Sequence, residues 1–239
     1  MQKVFSSDFD FDTTIRYNSM HRKNNIIIIV GKQRSGKTYA GLKLCETYDE
    51  KFNKDAVCFD MKKFMKFIQK KRNRWVLFDE VGLEFDNILW YTLPARIIKY
   101  VCETYASRQI NLVMTLPHLA NLGLHIKTLS HFIIRMFRPK YGVLIGISTD
   151  YIHTGLYYKW LQWLEFGYPS QEVVKDYERL KDNFLTDKSF EWCKELGLVD
   201  DPQQKKLKQL KMIIGSGTLK GDAYRSVFNE YIKLKEKVG

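Results

Sequence analysis

Five consecutive β-branched residues, Ile26 to Val30, run straight into Gly31-Lys32-Gln33-Arg34-Ser35-Gly36-Lys37-Thr38, and then into Tyr39-Ala40-Gly41-Leu42-Lys43-Leu44. The first run reads as a buried strand and the last as the opening of a helix. The loop between them satisfies the pattern GxxxxGK[ST] at every fixed position. A strand, a glycine-bounded loop and a helix in this order restrict the chain to an α/β fold in which the loop lies at a strand's carboxyl end. The glycines let the backbone curl so that successive N–H groups point inward, at the positive end of the helix. Residues Gly31 to Tyr39 are therefore expected to cradle the phosphates of a nucleoside triphosphate, ATP. In that reading Lys37 reaches the β- and γ-phosphates and the Thr38 hydroxyl takes one position on Mg²⁺.

About forty residues later a second apolar run, Arg74-Trp75-Val76-Leu77-Phe78, ends in Asp79 and Glu80. A carboxylate at the end of such a strand is expected to hold the Mg²⁺, and Asp79 is placed there. Glu80 is expected to polarise a water for attack on the γ-phosphate. Together the two motifs predict ATP hydrolysis rather than binding alone.

Composition limits what surrounds this centre. A length of 239 residues, 45% hydrophobic and 14% aromatic, suffices for one α/β core and an appendage. No apolar run approaches the 18 or so residues of a membrane span, and the N-terminus lacks a signal-peptide core, so a soluble, intracellular protein without membrane insertion is expected. The four cysteines and five histidines show no metal-ligand spacing. The net charge is +12; residues 1–167 hold 25 Lys and Arg against 15 Asp and Glu, whereas 168–239 hold 14 against 12. The excess is densest over 62–74, with seven basic residues and no acid. Met61, Phe64, Met65 and Ile68 share a helical face there. Lys62, Lys63, Lys66 and Lys70 are thus placed on an outer face, either a solvated surface or one that meets an anionic polymer such as DNA.

Along the chain, residues 1–24 read as an arm or a first edge strand. Strands are then expected at 26–30, 56–60, 75–79, 110–115, 131–137 and 143–147, the last two joined by a hairpin turn at 138–142. Helices are expected at 37–49, across the basic segment, at 92–107 with Pro94 in the first turn, and within 118–129 as helix or loop. This alternation predicts a mostly parallel sheet with helices on both faces and an antiparallel last pair. Past Gly167-Tyr168-Pro169 the composition turns helical, near 170–185, 188–196, 203–214 and 222–237, with a break at Gly215-Ser216-Gly217. The domains expected are an arm (1–24), an ATPase core (25–167) and a helical appendage (168–239). That appendage is read as a cap, an oligomer contact or a helix-turn-helix.

The segment Thr104 to Leu122 brings a family into view. It holds a helix end at Arg108, an apolar strand ending at Thr115, and a segment leading to the strand His131 to Met136. With the phosphate loop and the Asp79-Glu80 strand, this resembles the HerA/FtsK class of DNA-pumping P-loop ATPases over roughly residues 24–150. By size the chain is most similar to the compact viral genome-packaging members, with the Zot-like members a neighbouring branch. Two positions depart from the pattern: Leu116 stands where the family has a sensor Gln, so that either Thr115 or His118 substitutes or sensing is weaker, and Ile110 stands where it has Gly. The resemblance implies a RecA-like core, a homo-oligomeric, hexameric ring, and ATP-driven movement of double-stranded DNA for packaging or plasmid transfer. A capsid or portal-site protein is the implied docking partner. It also implies Arg108 as an arginine finger reaching a neighbouring subunit's site, with Arg96 and Arg135 as substitutes. The rival readings are a DNA-binding nucleotide switch in replication initiation, partition or phage assembly and export, and a small-metabolite kinase, which the absence of an Arg-rich lid disfavours.

Overall fold

Seven strands form one mixed sheet in the computed structural model, which describes residues 9–80, 96–97, 100–101, 108–149, 155–196, 202–215 and 221–238. The strands are β1 (Ile26–Val30), β2 (Val57–Cys58), β3 (Arg74–Phe78), β4 (Ile110–Leu116), β5 (Phe132–Arg138), β6 (Tyr141–Thr149) and β7 (Leu156–Glu165), in the order β2-β3-β4-β1-β5-β6-β7. The pairs β2/β3, β3/β4, β4/β1 and β1/β5 are parallel; β5/β6 and β6/β7 are antiparallel. All residues of β1 and β4 are buried, the mark of parallel strands covered on both faces. Register places Val30 beside Leu116 and Phe78 beside Met114, so the carboxyl ends of β1, β3 and β4 open on one edge.

Helix α1 (Phe11–Met20) precedes the sheet, α2 (Lys37–Tyr48) follows β1 and packs on β3 and β4, α3 (Met61–Lys70) links β2 to β3, and α4 (Leu124–Leu129) leads into β5. The described residues of the C-terminal region are helical: α5 (Gln171–Glu195), α6 (Pro202–Gly215) and α7 (Asp222–Val238). The expected α/β class, mostly parallel with an antiparallel end, is the class observed.

Several local expectations differ from the structure. Within the N-terminal segment, Phe11–Met20 form a helix where an arm or an edge strand was expected. Asp10 caps it through the Thr13 amide, while buried Phe11 and Ile15 lie one turn apart and Phe11 meets Phe132 edge-on at 5.4 Å. Strand β7 is an added edge strand. Its sequence LYYKWLQWLE leaves Tyr157, Tyr158, Trp160 and Trp163 exposed, so no in–out alternation announces it. The two helices expected at 170–185 and 188–196 are one helix of 25 residues, because nothing between Thr186 and Phe190 breaks it. Strand β2 is only two residues long, since Asp60 turns inward as the N-cap of α3 and accepts from the Lys63 amide at 2.8 Å. Of the helix expected at 92–107, residues 96–97 and 100–101 are helical, and the remainder lies outside the described residues.

The chain divides into two compact units, residues 1–181 and 182–239. The first contains the whole sheet and the first three turns of α5. In the second, α6 and α7 pack together, with Lys206 and Glu230 paired at 2.7 Å. Among the described residues, no helix is long and apolar enough to cross a membrane.

Candidate active site

The loop leaving β1 is shaped by two glycines that no other residue could replace in place. A Cβ on Gly36, whose φ is +86°, would lie 2.9 Å from the Pro139 Cα; one on Gly31 would lie 2.6 Å from Ser35 Oγ and 2.7 Å from the Met136 carbonyl oxygen. Arg34 also takes a left-handed backbone, with φ of 61°. Gly36 is the N-cap of α2 and has no side chain to accept from the first-turn amides, so those donors face the loop's concavity. Ser35 Oγ is buried and has no hydrogen-bond partner among the described residues. Orphaned donors at a helix start, in a loop too tight for side chains, match a phosphate group. Lys37 folds back so that its Nζ donates to the Lys32 carbonyl at 2.8 Å. Burial lowers its pKa, while Asp79 and Glu80 oppose that shift. Lys32, Gln33 and Arg34 form the exposed rim of the loop, and Tyr39 donates to Glu178 at 3.1 Å.

Across from the loop, Asp79 is fully buried at the end of β3. Its Oδ1 accepts from the Thr38 hydroxyl at 2.9 Å and the Thr115 hydroxyl at 2.6 Å. The Asp79 amide donates to the Cys58 carbonyl at 2.9 Å, which ties the carboxylate's backbone to β2. Glu80 has φ of 53°, so the chain turns sharply and the Glu80 side chain emerges 42% exposed while Asp79 stays inside. The Glu80 amide donates to Thr115 Oγ1 at 3.0 Å. One threonine at the end of β4 thus holds both carboxylate residues, the position where the resembled pattern has polar residues. Leu116 is buried beside it and His118 is exposed. A hydroxyl and a carboxylate 2.9 Å apart are hard oxygen donors suited to Mg²⁺, which takes few protein ligands and completes its shell with phosphate oxygens and water.

Two further site residues come from α5, and the motifs do not reveal them. Ser170 starts the helix and its amide donates to the Glu46 carboxylate at 3.1 Å, which anchors the helix to α2. Two turns in, Tyr177 is 5% exposed, lies 5.8 Å from the Phe59 ring, and donates to Asp79 Oδ2 at 2.6 Å. Burial first, and then the negative charge of Asp79, raise the Tyr177 phenol well above its usual range. Lys181 places its Nζ 2.7 Å from Glu80 Oε1 and 3.8 Å from Asp79 Oδ2. The only local signal was spacing: Tyr177 and Lys181 stand four apart, on one helix face.

The remaining candidates are separated from this centre. Arg108 precedes β4 at the end opposite Thr115, a strand's length of about 20 Å away. Its guanidinium donates to the carbonyls of Ile68 and Gln69 at 3.1 and 2.8 Å, at the carboxyl end of α3. Lys62, Lys66 and Lys70 are exposed on α3; Lys63 is half-buried and donates to the Lys54 carbonyl at 3.1 Å. The buried face of α3 is Met61, Phe64, Phe67 and Ile68. Arg74 does not belong to the outer basic run. It pairs with Asp49 at 2.6 Å, with side chains 12% and 7% exposed.

A loop of this shape after the central strand, facing a carboxylate at the end of a parallel neighbour two places away, defines a P-loop NTPase fold. No protein-family model matches the chain, and no curated protein sequence does. Solved structures to which it is similar include the genome-packaging NTPase B204 from Sulfolobus turreted icosahedral virus 2 in complex with AMPPCP, at 12% identity over 56% of this chain and 96% of that one, TM-score 0.39. They also include the N-terminal domain of zonular occludens toxin from Neisseria meningitidis, at 14% identity over 64% and 98%, TM-score 0.40. A third is EssC (ATPases 2 and 3) from Geobacillus thermodenitrificans, at 11% identity over 70% of this chain and 45% of that one, TM-score 0.41.

Proposed function

We propose that the chain is a Mg²⁺-dependent ATP hydrolase that works in a homo-oligomeric, hexameric ring to move double-stranded DNA, in viral genome packaging or plasmid transfer. The observation that carries the hydrolase is the meeting of Thr38 and Asp79 at 2.9 Å below an uncapped helix start, with Glu80 turned out beside them. In this reading the amides of residues 31–39 and Lys37 bind and orient the triphosphate. Thr38 and Asp79 would hold Mg²⁺, which would neutralise charge on the phosphate oxygens. Glu80 orients the attacking water and accepts its proton, and Thr115 keeps Glu80 and Asp79 in fixed relation. An arginine from a neighbouring subunit completes the charge balance, with Arg108 the candidate.

Movement of DNA rests on the basic excess of residues 1–167 and on the sequence resemblance. A capsid or portal-site protein is the docking partner this role requires. The test is phosphate release with and without long duplex DNA, together with negative-stain images in a non-hydrolysable ATP analogue and DNA. Stimulation by long duplex and closed rings are expected. Turnover indifferent to DNA, with no ring, would instead support a nucleotide switch.

A further inference from the structure

Asp79 and Glu80 are adjacent carboxylates, one fully buried, and their shared negative charge needs a cation. In this structure that cation is Lys181. Its side chain is 27% exposed, and its ammonium donates to Glu80 Oε1 at 2.7 Å and stands 3.8 Å from Asp79 Oδ2. Both oxygens of Asp79 are occupied: Oδ1 by the hydroxyls of Thr38 and Thr115, Oδ2 by Tyr177 at 2.6 Å. Two consequences follow. Glu80 has one oxygen, Oε1, held by the ammonium, which leaves only Oε2 to meet a water. A divalent cation on Asp79 cannot share the carboxylates with an ammonium a few ångströms away, because like charges in a partly buried site repel strongly.

Resting on the assignment of Thr38 and Asp79 as metal ligands, we propose that Lys181 is a resident counter-cation of the metal site: it holds Asp79 and Glu80 before the metal arrives, and it must withdraw from them for the metal to bind. Lys181 is a positioning residue in this scheme, acting through Glu80, and Tyr177 and the Ser170–Glu46 contact keep it within reach. The geometry favours displacement over a shared site because Lys181 has a long, flexible and partly exposed side chain, whereas Tyr177 is buried. Withdrawal therefore requires rotation of one side chain and no unpacking of the helix.

The test is Mn²⁺ binding to the full-length protein at low ionic strength, read from the electron paramagnetic resonance signal of the free ion. Lys181→Met preserves the stem and removes the charge; Lys181→Gln is a second charge-neutral variant should the first fold poorly. Both should bind Mn²⁺ about tenfold more tightly than the wild type, a factor that corresponds to one competing contact. Lys181→Arg should stay close to the wild-type affinity. Equal or weaker Mn²⁺ binding in folded Lys181→Met or Lys181→Gln protein overturns the proposal. Asp79→Asn separates this failure from that of the underlying assignment. If Asp79→Asn binds Mn²⁺ as well as the wild type, the metal site itself is wrong and the proposal falls with it. If Asp79→Asn loses the ion while the Lys181 variants gain nothing, the metal site stands and the proposal alone fails.

Discussion

Asp79 and Glu80 are neighbours in sequence, yet one change of backbone direction gives them different environments. Asp79 continues β3 into the interior, whereas Glu80, at φ of 53°, is thrown outward. A non-glycine residue in that conformation costs on the order of 1 kcal/mol, and the Glu80 amide's bond to Thr115 Oγ1 helps to hold it. In the proposed reading the inner carboxylate holds an ion and the outer one meets a water, so the two should separate in mutation. Lys37→Ala should lose nucleotide binding and hydrolysis together, because the phosphate charge is then uncountered. Glu80→Gln should retain binding of labelled ATP while phosphate release falls by about 10²–10⁴-fold, the usual loss when a general base is removed. Wild-type turnover in Glu80→Gln would sink its assignment as the base.

The elements show which charges are structural and which face outward. Helix α3 buries Met61, Phe64, Phe67 and Ile68 and presents Lys62, Lys66 and Lys70 to solvent, with Lys63 at the margin. Replacing the four lysines by Gln should weaken duplex DNA binding and flatten the plot of log affinity against log salt, with basal ATPase unchanged. An unaltered slope would make α3 a solvated face. Strands β1 and β5 are joined at their start by His131, whose Nδ1 accepts from the Ile26 amide at 3.1 Å. Burial lowers the His131 pKa, the contact with the Ile26 backbone partly opposes that shift, and the nearby Lys23 ammonium adds to it. Below about pH 6.5 the unfolded chain then binds a proton that the folded chain refuses, so stability falls as pH drops. The slope from this one group is at most about 1.4 kcal/mol per pH unit. Urea unfolding at pH 7.5 and 5.5 should show the loss, and His131→Gln should reduce it.

At the scale of the molecule, the proposed reaction calls for an arginine finger, and Arg108 stands away from the site of its own chain. Arg108 lies about 20 Å from Thr115 in its own chain, so any contribution to phosphoryl transfer must be made to another subunit. The cost of such a move is visible: the guanidinium would leave the carbonyls of Ile68 and Gln69. In the proposed ring, Arg108→Ala and Lys37→Ala proteins, each inactive alone, should regain part of the ATPase when mixed, since some interfaces then pair an intact loop with an intact arginine. A finger is worth roughly 10³–10⁵ in rate, so even partial recovery is measurable. No recovery in samples shown to co-assemble would leave Arg108 as the carboxyl-terminal cap of α3, worth about 1 kcal/mol or less.

The glycine-bounded turn between β1 and α2, the strand that ends in Asp79 and Glu80, and the parallel core were legible in the chain because each is a local pattern. Steric rules fix what Gly31 and Gly36 permit, and the apolar runs Ile26 to Val30 and Trp75 to Phe78 have no polar residue that would let either strand lie at the surface. The same local reading missed α1, whose signal is a single cap and two apolar residues, and β7, whose exposed aromatics hide the strand period. What tertiary structure alone decided is the company the carboxylates keep. Thr115, Tyr177 and Lys181 reach Asp79 and Glu80 across 36, 98 and 101 residues of chain. No periodicity encodes such meetings, because they depend on where β4 lies in the sheet and on the angle at which α5 leaves Ser170. Sequence placed the charges on the chain; only packing determined that a buried aspartate would be met by a phenol and an ammonium from a helix that composition alone assigns to another region.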